Sequence, residues 1–198
     1  MTDETTGQPD QGRDDEIERA WVDRPPDYNA TITLADYDPD WPICYQRLAT
    51  IVRAALGDRV LLLEHVGSTA VPGLVAKPKI DIVLAVTDTD AEDDYVPALE
   101  RAGFALVVRE PEWFEHRLLT RQDIEVNLHV FPASCPEIGE MLAFRDWLRN
   151  HDDDRDRYAR TKRELAAREW RYVQHYADAK AVVVGEIKER AARTVEPE

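Results

Sequence analysis

Glu64-His65-Val66-Gly67-Ser68-Thr69-Ala70-Val71-Pro72-Gly73-Leu74-Val75-Ala76-Lys77-Pro78-Lys79-Ile80-Asp81-Ile82 is the stretch on which the reading of this chain turns. Val60–Val66 is an apolar run interrupted only by Glu64-His65, and Lys79–Val86 is a second such run, so both read as buried strands. Between them lies a loop that opens on Gly67-Ser68-Thr69. Gly67 lets the backbone approach a ligand closely, and Ser68 and Thr69 add hydroxyl and N–H donors, which suits a phosphate cradle. Asp81 sits between apolar neighbours inside a strand. An ionised carboxylate there is costly unless it meets a cation, a metal or water, so a cationic partner is expected. The rival reading is a plain Gly-Ser turn beside a structural carboxylate.

Outward from this stretch the pattern alternates. Residues 1–27 are polar, acidic and rich in proline, and read as a flexible tail with a short helical piece at Asp14–Val22. Thr31–Leu34 reads as a short strand. Asp38-Pro39 opens a helix whose apolar stripe runs from Trp41 to Ala55 and ends at Gly57. Beyond Val86, Thr89-Asp90-Ala91-Glu92 fits a capping box for a helix to Ala102. Phe104–Val108 and Trp113–Thr120 read as strands, and Arg121-Gln122-Asp123 is a tight turn into a strand at Ile124–Phe131. Ser134-Cys135-Pro136-Glu137 opens a helix through Arg149. After a break at Asn150–Asp154, helix is expected to about Arg193, bent near Gly185. Strands followed by helices predict an α+β fold, a mixed sheet with helices packed on it. The expected domain spans 28–195, with a sheet core at about 31–132 and a helical part at about 134–193.

The 198 residues carry 40 acids against 25 bases, a formal net charge of −15. Bulk nucleic-acid binding is disfavoured, because phosphate attraction needs net basic surface. Arginines number 20 and lysines only 5, a balance that suits either a halophilic, high-salt cytoplasm or an acidic protein of a GC-rich genome. No apolar run approaches a membrane span and the first residues lack a basic, then apolar, leader, so no membrane association and a cytoplasmic location are expected. Cys44 and Cys135 lie too far apart for a CxxC site.

Further candidates follow from periodicity. Glu125, Asn127 and His129 alternate and so share one strand face, as either a solvated face or the wall of a site. Across the hairpin, Glu115, Arg117 and Leu119 share a face, and Arg117 can meet phosphate bidentately. Arg145 and Arg149, and likewise Tyr158 and Lys162, are spaced to share a helix face. They fit either a phosphate clamp or pairing with local acids. In a chain with so few lysines, Lys77 beside the Gly-Ser loop is the leading phosphate contact.

The opening stretch resembles the signature of the GrpB (UPF0157-type) family, E-H-[IV]-G-S-T-[SA]-V-P-G-L-x-A-K-P-x-I-D-[IL]. Tyr37-Asp38-Pro39-Asp40-Trp41-Pro42, Leu128-His129-Val130, Phe144–His151, Tyr158–Lys162, and Tyr176 with Lys180 are similar to its flanking motifs. The match spans about residues 31–193 in order. The resemblance implies membership of the nucleotidyltransferase superfamily and a polymerase-β-like mixed sheet flanked by helices, with long C-terminal helices. It also implies a nucleoside triphosphate or related phosphorylated small molecule held at Gly67 and Ser68, to which the residue patterns above add Thr69, Lys77, Arg117, Arg145 and Lys162 as phosphate contacts. It places a divalent metal on strand carboxylates, the first of them Asp81; with Glu125 and His129 from the strand face above, Mg²⁺ would sit on Asp81 and Glu125, and Asp81, Glu125 and His129 form the expected catalytic set. Some family relatives are fused to dephospho-CoA kinase. One departure bears on the chemistry. The superfamily's second strand acid is Val83 here, and two-metal transfer needs several carboxylates. Nucleotidyl transfer to a small-molecule or protein acceptor is therefore set beside two alternatives: a non-catalytic phosphometabolite-binding module, and an interaction domain.

Overall fold

The computed structural model describes residues 11–22 and 31–193. Its elements are α1 (Gln11–Ala20), α2 (Asp40–Leu56), β1 (Leu62–Val66), β2 (Ile80–Val86), α3 (Val96–Arg101), β3 (Phe104–Glu110), β4 (His116–Arg121), β5 (Val126–Pro132), α4 (Pro136–Asn150), α5 (Asp152–Ala166), α6 (Val173–Asp178) and α7 (Ala181–Arg193). The five strands form one mixed sheet in the order β1-β2-β5-β4-β3, with β2 and β5 parallel and the other pairs antiparallel. The α+β expectation holds.

β2 is apolar along nearly its whole length because helices cover both of its faces, as parallel strands require. Ile80, Ile82, Leu84 and Val86 point to one side, where Trp41, Leu48, Val52 and Leu56 of α2 and Leu99 of α3 close the main core. Those α2 positions recur at helical spacing, so one stripe meets the sheet. Val83 and Ala85 point to the other side and pack with Phe131 under Cys135 and Ile138 at the start of α4. The C-terminal helices do not lie on the sheet. Tyr158 and Ala159 of α5 and Val183 and Ile187 of α7 pack with Leu148 of α4 onto Val71, Leu74 and Val75. That packing holds the loop between β1 and β2 and brings α5 beside the Gly-Ser turn.

Several local expectations give way. Thr31–Leu34 forms no strand, and its neighbour Ala35 makes a single bridge to Ala76. The Thr89 box does not cap a helix. Tyr95 turns its hydroxyl to Thr89 O at 2.8 Å, and a 3-10 turn at Glu92–Asp94 precedes the shorter α3. The strand expected from Trp113 begins at His116, because Phe114 and Glu115 take positive φ values of 53° and 54° that an extended strand excludes. The long C-terminal helix is three helices, broken near Tyr172 and Lys180, while Gly185 lies inside α7. Within the tail expected at 1–27, residues 11–20 are a docked helix. Asp14 is fully buried against Arg171 (2.8 Å) and His175 (3.0 Å), and Trp21 bridges Val108. Residues 1–10 and 23–27 lie outside the described residues.

Candidate functional site

The sheet register places the chemistry. Asp81 pairs with Asn127 and Val83 with His129 on adjacent parallel strands, so Asp81, Asn127 and His129 face the same way. Asn127 donates through Nδ2 to Asp81 Oδ1 at 2.9 Å, and His129 Nε2 stands 3.8 Å from the same oxygen. Gly67 lies directly over this carboxylate. Its φ is +69° and ψ −169°, and a Cβ there would overlap the Asp81 carboxylate and come within 3.0 Å of Asp81 Cβ. Glycine is thus required twice, by backbone conformation and by close approach. Burial pushes the Asp81 carboxyl up, but His129 when its Nε2 carries a proton, the Asn127 amide and the Lys77 ammonium outweigh it and hold it below the usual carboxylate range.

Lysines surround this point. Lys162 of α5 is 2% exposed and donates to Ser68 Oγ at 3.0 Å and to Val75 O, with its ammonium 4.6 Å from the Tyr158 ring centre. Tyr158 also hydrogen-bonds Ser68, although burial pushes its phenol up to about 12. Lys180, between α6 and α7, lies 4.6 Å from the Tyr176 ring centre. Lys77, Lys162 and Lys180 each interact electrostatically with Asp81, and Lys180 repels both of the others. Burial lowers all three amines, Lys162 to about 6. Like charges crowded around one carboxylate favour an added anion. The buried Tyr176 hydroxyl has no hydrogen-bond partner among the described residues.

The remaining expected contacts fall elsewhere. Thr69 is 1% exposed and its hydroxyl is engaged, donating to Lys79 O (3.3 Å) and bonded to His65 Nε2 (3.0 Å), so it braces the turn. Burial holds the His65 imidazole down at about 4. Arg145 is committed to Glu64 and His65 O, both at 2.9 Å, and to Asp146. Arg149 donates to Ala70 O at 2.9 Å. These arginines therefore fasten α4 to the turn. Arg117 pairs in register with Val130, on the sheet face opposite Asp81, and its guanidinium bonds Glu92 and Asp90, both at 2.6 Å. Glu125 precedes β5, is 73% exposed and pairs with Lys79 at 3.3 Å rather than joining Asp81. Among the described residues, no three His, Cys, Asp or Glu side chains gather as a metal-binding group. Val83 is fully buried beneath α4, where an acid would be desolvated.

Lys180, Tyr176 and Asn127 are site residues that the sequence reading leaves out of its set. The scarcity of lysine and the Tyr176-x-x-x-Lys180 spacing are the signals that point to the first two. Two shallow surface concavities lie away from this site, one by Trp147 and Asp152–Asp154, the other by Thr87, Phe114 and Cys135.

Fold and site together define a mixed-sheet protein with a Gly-Ser turn poised over a strand carboxylate. The GrpB protein family matches residues 31–190, and the chain belongs to that family. It is 54% identical over 181 residues to a UPF0157 protein of Halalkalibacterium halodurans, covering 91% of this chain and 93% of that one. It is 45% identical over 160 residues to a UPF0157 protein of Streptomyces coelicolor, covering 81% and 84%. The crystal structure of the conserved protein GrpB from Enterococcus faecalis superimposes with a TM-score of 0.67 at 26% identity, covering 82% of this chain and 98% of that chain. Among the described residues, no helix is long and apolar enough to cross a membrane.

Proposed function

We propose that the Gly67–Ser68 turn binds the phosphate groups of a nucleoside triphosphate or a related phosphorylated small molecule. One observation carries this reading. Three of the five lysines in a chain of net charge −15, drawn from three separate segments, act electrostatically on a single carboxylate beside the turn, and one of them, Lys162, bonds the turn's Ser68 directly. Lys77 and Lys180 set positive charge against this one carboxylate, while Lys162, held at about 6, is largely neutral at pH 7 and gains its proton as an anion enters; phosphate is the common biological anion that matches such a site.

The donor set does not suit the Mg²⁺ that the family resemblance implies. Asp81 is one carboxylate facing lysines, Glu125 is taken by Lys79, and a divalent ion would add repulsion to the Lys77 and Lys180 ammonium groups. In this reading lysine charge takes the neutralising place of metal. Transfer of a nucleotidyl group to a small-molecule or protein acceptor is the second reading. It is favoured by His129 standing beside Asp81, where one of the two can take a proton from an acceptor.

The test is thermal unfolding with inorganic tripolyphosphate and with ATP, each in EDTA and in Mg²⁺. Ligand at about 100 times its Kd stabilises by about 2.7 kcal/mol, a rise of about 5–10 °C for a chain of this size. Lys180→Met is expected to weaken binding at least about tenfold, the worth of one charge-assisted contact. No shift with either ligand, in either buffer, would remove the reading. Mass spectrometry for a transferred nucleotidyl group separates the second reading from plain binding.

A further inference from the structure

Across the same sheet face runs a chain of four titratable groups, one from each of four strands. Glu110 of β3 bonds through Oε2 to His116 Nδ1 of β4 at 2.7 Å. His116 Nε2 meets His129 Nδ1 of β5 at 3.1 Å, and His129 Nε2 points to Asp81 Oδ1 of β2 at 3.8 Å. Packing fixes the links. His116 is 3% exposed, stacks on Phe131 (4.7 Å, 30°) and on His129 (5.2 Å, 25°), and takes the edge of Trp113 at 4.9 Å.

Proton accounting gives this chain a direction. An ionised carboxylate only accepts, so His116 Nδ1 carries a hydrogen toward Glu110. Burial, with the charges of His129 and Arg117 adding to it, holds His116 down at about 4 despite Glu110, so its ring is neutral at pH 7 and Nε2 is a lone pair. His129 Nδ1 must then donate. Whether His129 is neutral or charged, Nδ1 keeps its hydrogen, and the proton that comes and goes is on Nε2. Glu137 of α4 also acts on His129 electrostatically, but its carboxylate has Lys188 at 3.5 Å.

We propose that Glu110 and His116 are positioning residues that lock His129 in its Nδ1–H form, making Nε2 the proton-accepting atom beside Asp81. When Nε2 is unprotonated, the atom pair Nε2 and Oδ1 presents two acceptors that one O–H or N–H of a ligand can bridge. That group would belong to the phosphorylated molecule or to an acceptor of its phosphoryl or nucleotidyl group. This last clause rests on the reading of the Gly67–Ser68 turn as a phosphate site; the tautomer assignment does not.

The experiment is long-range ¹H–¹⁵N correlation NMR on the full chain labelled with ¹⁵N-histidine at pH 7.5, with His129→Gln identifying the His129 signals. The expected spectrum has His129 protonated at Nδ1 and His116 protonated at Nδ1. In Glu110→Gln the amide can donate to His116 Nδ1, which reverses the whole chain and moves the His129 hydrogen to Nε2. His116→Phe keeps the stacking volume and removes the link, so His129 falls to a tautomer mixture. A role in packing alone would move neither tautomer. A wild-type His129 with hydrogen on Nε2 and none on Nδ1, or a tautomer unchanged in both variants, overturns the proposal. Tripolyphosphate titrated into wild type and Glu110→Gln separates the two claims. Phosphate binding with the wrong tautomer sinks only this inference, and the right tautomer without phosphate binding sinks only the proposed function.

Discussion

Gly67→Ala probes the closest approach in the site. The alanine must adopt φ +69° and ψ −169°, a region essentially closed to residues with a Cβ, at about 1–3 kcal/mol. Its Cβ would also overlap the Asp81 carboxylate, with Asp81 Cβ at 3.0 Å and Cγ at 3.1 Å. Asp81 is held by β2, so the carboxylate must turn away from Asn127, losing a hydrogen bond worth about 1 kcal/mol. The total is about 2–4 kcal/mol, or a fall of about 5–15 °C in Tm. Urea denaturation followed by circular dichroism gives the free energy. Pairing the change with Asp81→Ala isolates the carboxylate overlap, since the double variant keeps the backbone strain and the 3.0 Å Cβ–Cβ contact and loses only the carboxylate. It should be more stable than the sum of the singles by about 1 kcal/mol. A cost below about 0.5 kcal/mol for Gly67→Ala, or strict additivity within about that margin, would refute the geometry.

Arg117→Ala should destabilise by about 1–3 kcal/mol, because it strips Glu92 and the more exposed Asp90 of a 5%-exposed partner. It should leave tripolyphosphate affinity unchanged, since the residue lies across the sheet. Acid should weaken the fold through His65 and His116. Both are held neutral by burial at about 4 when folded, against 6.5 when exposed, so the unfolded chain binds more protons between those values. Their contribution is complete above pH 6.5 and is lost as pH falls toward 4, with a ceiling of about 3 kcal/mol each. Urea midpoints at pH 7 and pH 4.5 measure it, and His116→Phe should flatten the slope. Asp14→Ala leaves Arg171 and His175 without a carboxylate that is fully buried. It should cost about 2–3 kcal/mol, and faster amide exchange in α1 and α6 than in the sheet would show where.

The sequence by itself determined the strand–turn–strand unit around Gly67 and Asp81, the helix of Trp41–Leu56 and the β4–β5 hairpin. These are local: apolar runs, helical spacing and turn residues fix backbone shape within a few positions. The same alternation correctly put Asn127 and His129 on one face. It placed Arg117 on the other face only once the register with Val130 was known, because period-two patterning says which residues share a face but not which face carries a site. Convergence across the chain was decided by tertiary packing. Lys162 reaches Ser68 over 94 residues because Tyr158 and Ala159 bury against Val71 and Leu74. Glu125 goes to Lys79 instead of Asp81 because it stands just before β5, at the exposed rim. The Glu110–His116–His129 chain exists only where three strands lie side by side. Short-range patterns are written in the backbone's own preferences, whereas the charges that meet at Asp81 are set by how the helical half seats on the loop.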